Sequence, residues 1–149
     1  QDPESDRRRP NRRLEQSRTI SMKHLVWLFS LIAVPLLAST DLSQDEYVRI
    51  CKGMVSAGFL KPIDSIEVLK EEDGVVYLAY IRTRDETRWT YRCKISGSSI
   101  IWASESGRWR TSKYDEKITF RIDRESGTFT IYHLYSDGNK KEDTFPLEE

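Results

Sequence analysis

Residues 87–95 read Thr-Arg-Trp-Thr-Tyr-Arg-Cys-Lys-Ile, and their alternation decides the fold. Trp89, Tyr91, Cys93 and Ile95 fall on one side of an extended chain, and Arg88, Thr90, Arg92 and Lys94 on the other. Side chains of a strand point to opposite faces in turn, so this is a strand with one apolar and one basic face. Around it the same period of two recurs. Residues 75–81 (VVYLAYI) are apolar on both faces, which predicts a central strand. Residues 66–69, 100–102, 118–122 and 128–135 supply further strands, with a short last one near 144–147. Asp73-Gly74, Ser96-Gly97-Ser98, Glu125-Ser126-Gly127 and Ser136-Asp137-Gly138-Asn139 supply the turns between them.

One segment upstream follows a different period. Ser43-Gln44-Asp45-Glu46 is a capping box, with Ser at the N-cap and Glu three residues on. Tyr47, Ile50, Cys51, Met54 and Val55 then recur at helical spacing, which predicts a helix of about 12–14 residues ending near Gly58. Lys61-Pro62 forbids its continuation. The expected fold is α+β: one N-terminal helix packed on a curved antiparallel meander of about six or seven strands.

The formal net charge of the 149 residues is zero, but it conceals three regions. Residues 1–21 carry six Arg and almost no apolar side chains, so they cannot bury enough surface to order themselves. Their Arg-rich run suits a nucleic-acid or membrane-surface patch; the plainer reading is a leader outside the working protein. From Met22 the pattern is that of a secretory signal: Lys23, a 14-residue apolar stretch over 25–38, then Ala38-Ser39-Thr40. Fourteen residues fall short of the roughly 20 that a spanning helix needs. Arg12-Arg13 lies too far upstream for a twin-arginine signal, and no Cys follows the small residues to take a lipid. Residues 41–149 form the expected mature domain, exported to the periplasm or beyond and without a stable membrane anchor.

Both cysteines, Cys51 and Cys93, belong to that domain. Cys51 lies on the apolar helix face and Cys93 on the apolar strand face, and a single core brings those faces together. An exported location permits oxidation, so a Cys51–Cys93 disulfide is expected; the rival is two separately buried thiols.

The segments VVYLAYIR, TRWTYRCK, IIWA and GRWR, with Cys51-Lys52 upstream, resemble a family of short exported bacterial proteins of uncharacterised function, over roughly 45–149. The resemblance implies export and fold and brings no activity with it.

Chemistry finds few candidates. His133 is the one His after the signal, and it shares a strand face with Phe129, Ile131 and Tyr135, as a packed residue does. One His and two pairing Cys do not supply a metal site, and no phosphate-binding Gly-rich loop is present, so no cofactor is expected. The acid pairs Asp85-Glu86 and Asp115-Glu116 and the run Glu71-Glu72-Asp73 sit at turns or strand starts, where solvated acids are ordinary. A carboxylate-based hydrolase would need two of them across a cleft.

Charge is the stronger signal. Residues 82–110 carry a net charge of +4, and the rest of 41–149 carries -7. Arg88, Arg92, Lys94, Arg108, Trp109 and Arg110 therefore form a candidate partner-binding surface, since Arg and Trp together suit anionic or protein surfaces. The plain alternative is the solvated face of a sheet, with Arg stems covering apolar atoms. The expected function is that of a non-enzymatic binding or accessory domain for an unknown protein or an anionic envelope component, with no nucleic acid. A structural envelope protein without a discrete ligand is the alternative.

Overall fold

The computed structural model describes residues 41–148; the expected leader and signal, 1–21 and 22–40, lie outside the described residues. Helix α1 spans Gln44–Phe59, and a short 3-10 turn, Ile63–Ser65, follows it. Seven strands complete the chain: β1 Glu67–Glu72, β2 Val75–Arg82, β3 Thr87–Ser96, β4 Ser99–Ser104, β5 Lys117–Asp123, β6 Thr128–Leu134 and β7 Lys140–Pro146. They pair antiparallel in sequence order, so the sheet is a seven-stranded meander with one helix on it. The α+β expectation holds.

The capping box is present in full: Ser43 Oγ accepts from Glu46 N, and Glu46 Oε2 accepts from Ser43 N at 2.9 Å. The helix ends within one residue of the expected position near Gly58, but at 16 residues it is longer than the 12–14 expected. It runs to Phe59, and Leu60 takes the left-handed cap conformation at φ 53°, stabilised by its N–H donating to Ser56 O. A second correction concerns β7, which begins at Lys140 rather than near 144. Its charged residues hid the alternation: Lys141, Asp143 and Phe145 are half-buried, while Glu142 and Thr144 are exposed. A strand at the sheet edge can carry such charges, and they discourage pairing with another chain. Nor is β2 at the centre of the sheet. It is the second strand, apolar outward at Ala79 yet with Ile81 60 % exposed.

The helix touches β2 and β3 on one side and β6 and β7 on the other, so the sheet curls around it. Between them lies one core, including Ile50, Met54, Val55, Leu78, Phe129 and Ile131. The Cys51–Cys93 disulfide joins α1 to β3 inside that core, with Cα atoms 5.8 Å apart. Arg49 Nε donates to Pro146 O at 3.2 Å and Lys141 Nζ to Ala57 O at 2.7 Å, which ties the helix to β7. Among the described residues no helix is long and apolar enough to cross a membrane.

Candidate functional site

The face of the sheet turned away from α1 carries the basic side of β3. Register places Lys70 opposite Tyr77, Tyr77 opposite Arg92, and Arg92 opposite Ala103. Neighbouring strands are about 4.8 Å apart, so these four residues form one row across β1–β4. Lys70 Nζ lies 4.4 Å from the centre of the Tyr77 ring. At the other end of the row, Arg92 Cζ is 4.8 Å and Lys94 Nζ 4.5 Å from the centre of Trp109.

Trp109 is not on a strand; a chain reversal brings it there. β4 and β5 pair only through Ser99–Thr119 and Ile100–Ile118, and beyond that they separate. The chain after β4 folds back into the gap: Gly107 N donates to Ser104 O at 3.1 Å, and Arg110 N to Trp102 O at 2.9 Å. Gly107 packs closely on Ser104: a Cβ there would lie 2.2 Å from Ser104 Oγ, which would have to rotate away. Arg92 fastens it from the sheet by donating to the carbonyl oxygens of Ser104 and Gly107.

The six residues singled out from the sequence therefore separate into groups. Arg92, Lys94 and Trp109 come together. Arg88 stands further along β3 and pairs with Glu67 at 2.7 Å. Arg108 donates twice to the carboxylate of Asp115, both at 2.7 Å, and Arg110 approaches the same carboxylate at 3.6 Å. Arg110 also lies 5.0 Å over Trp102, which faces the helix side, so it turns away from Trp109. Arg92 and Lys94 alone of the basic candidates meet no carboxylate among the described residues. Both lie beside an aromatic face, where the ring's negative quadrupole favours a cation. Lys70 and Tyr77 were not anticipated. A β1–β2 hairpin turning at Asp73-Gly74 signals their pairing, but a register shift between Val68 and Lys70 obscures it.

Several of the acids are held by basic neighbours. Asp115, 8 % exposed, has its carboxyl held well below the usual range, first by the Arg108 hydrogen bonds, then by the Ser112 N–H and the charge of Arg110. Arg82 does the same for Asp85, and Lys70 lowers Glu72. A general acid needs the opposite shift. A cleft of about 930 Å³ lies between the start of α1, β1 and the end of β7. Both signs of charge line it, including Glu46 paired with Arg124 at 2.6 Å.

Comparison with protein-family models, curated proteins and solved structures finds no match.

Proposed function

We propose that this chain is an exported, non-catalytic binding module whose outer sheet face, centred on Trp109, engages an extended anionic component of the cell envelope. The observation that carries the reading is the pair Arg92 and Lys94, both within 5 Å of one indole ring and neither neutralised by a carboxylate among the described residues. Two further features support it. From Trp109 the row continues through Arg92 and Tyr77 to Lys70, a cation on β3, a ring on β2 and a cation on β1, the last paired with Glu72 at 2.6 Å. The face is the outer side of a sheet curled about its helix, which suits a long partner lying across it better than a small molecule enclosed in a pocket. Export rests on the signal-like pattern of 22–40 and is supported by the disulfide, a bond that persists in oxidising compartments.

The test compares retention of the full chain on an immobilised polyuronate and on a neutral glucan. Retention on the polyuronate, lost in the double variant Arg92→Gln/Lys94→Gln and kept in Arg88→Gln, is the expected result. Equal retention on both supports would overturn the reading.

A further inference from the structure

A separate site lies at the C-terminal end of α1, on the helix side of the sheet. There a cavity of about 120 Å³ opens beside Gly58, bounded by Phe59, Trp102, Tyr135, His133 and Glu116. The Phe59 and Trp102 rings meet edge to face at 5.6 Å, and His133 stacks on Tyr135 at 5.9 Å, so the walls are largely aromatic. Two polar side chains line this space. Glu116 accepts from Trp102 Nε1 at 2.9 Å and has no ion-pair partner among the described residues. His133 is 2 % exposed, and its Nε2 has no hydrogen-bond partner among them.

A buried polar atom left unpartnered costs about 1–3 kcal/mol, so Nε2 calls for an occupant. The cavity exceeds the roughly 30 Å³ share of a single water. Its character favours positive charge: a carboxylate, ring faces with negative quadrupoles, and the negative end of the helix dipole. The nearby cations are already held, Arg110 by Asp115 and Lys141 by Ala57 O and Asp143. Burial and the Lys141 charge lower the proton affinity of His133, with Glu116 and Asp143 opposing, and this favours a neutral ring. In its Nδ1–H tautomer the ring offers Nε2 as an acceptor.

We propose that this cavity binds a short primary alkylammonium ion, its N–H groups donating to Glu116 and His133 Nε2 and its methylenes lying against Phe59 and Tyr135. An ammonium carries three divergent donors, which matches two acceptors on different walls.

The test follows the ¹³Cε1 signal of His133 in the full chain, distinguished from that of His24 by a His24→Gln variant, during titration with n-propylammonium chloride. Sodium chloride and tetramethylammonium chloride at equal ionic strength are the controls; the second is a cation without N–H donors. A saturable shift with propylammonium alone is expected. Glu116→Gln, which retains an acceptor for Trp102, should weaken it about tenfold, as loss of a charged hydrogen bond does. Gly58→Leu should abolish it: a Cβ at that position lies 3.9 Å from His133 Cε1, so a larger side chain fills the mouth without removing a polar group. A response no greater than that to sodium chloride means bound water only and overturns the proposal. So does an equal response to tetramethylammonium, or one that both variants leave unchanged.

Discussion

Gly53 of α1 stands so close to Phe129 of β6 that a Cβ on it would lie 2.6 Å from the ring's Cε2 and 2.8 Å from its Cζ. The missing side chain sets the distance between helix and sheet at the centre of the core, where Phe129 has no exposure. Gly53→Ala must displace that ring, and overpacking of this kind costs about 1–3 kcal/mol. Gly58→Ala, where a Cβ meets nothing closer than 3.9 Å, should leave stability equal or raised by up to about 1 kcal/mol through helix propensity. Urea denaturation of both variants checks this; equal stability of Gly53→Ala and the parent chain would contradict the close approach.

The Cys51–Cys93 bond closes a loop of sequence separation 42. The chain-entropy account gives about 4 kcal/mol for such a loop as an upper figure. That is a large part of the roughly 5–15 kcal/mol total of a domain this size. Reductant should therefore lower the thermal midpoint, and a Cys51→Ala/Cys93→Ala variant should melt low and no longer respond to reductant. A midpoint unchanged by reductant would count against the bond.

Asp115 makes the 105–116 segment acid-sensitive. Its folded carboxyl lies below the ordinary value of about 3.9, so its contribution is full above that value and is lost as pH falls toward the folded one. The fall in stability between pH 5 and lower pH, followed by urea midpoints, should be shallower in Asp115→Asn. The variant also loses part of the hold on Arg108 and the Ser112 N–H. An identical pH slope in variant and parent would show that Asp115 does not anchor the segment.

His133 acts at higher pH. Burial depresses its folded value, so below about 6.5 the unfolded chain takes up a proton that the folded one resists. Stability should decline as pH drops from about 7 toward the lower folded value. His133→Gln should flatten that decline, read from urea midpoints at successive pH values. A decline of the same steepness in the variant would place its origin elsewhere.

The fold was legible in the sequence to the extent that local chemistry is. The alternation of 87–95 and the Ser43–Glu46 box each depend on residues a few positions apart, and both stand in the structure. The helix end was legible to within one residue, although Leu60, rather than a glycine, adopts the left-handed cap. β7 was obscured because its half-buried positions hold Lys141 and Asp143. The site was legible only as a composition. Arg92 and Lys94 share one face, as the alternation of 87–95 predicts, but the position of Trp109 depends on how residues 105–116 cross the gap between β4 and β5. Nor does spacing show that Asp115 engages Arg108 and Arg110, or that Arg92 bonds the carbonyls of Ser104 and Gly107. For that reason Arg92 is no simple surface charge, unlike Arg88, whose exposed pair with Glu67 contributes about 0–1 kcal/mol.

The most direct test of the central claim is the dissociation constant of the full chain for a soluble polyuronate, measured across a salt series beside the Arg92→Gln/Lys94→Gln variant. If this face engages a polyanion through two unneutralised charges on Trp109, affinity falls steadily as salt screens the contact. The double variant then binds about tenfold more weakly at low salt, with a shallower salt dependence, because two solvent-screened charge contacts of up to about 1 kcal/mol each are lost. Binding of parent and variant with the same affinity and the same salt slope would contradict the account.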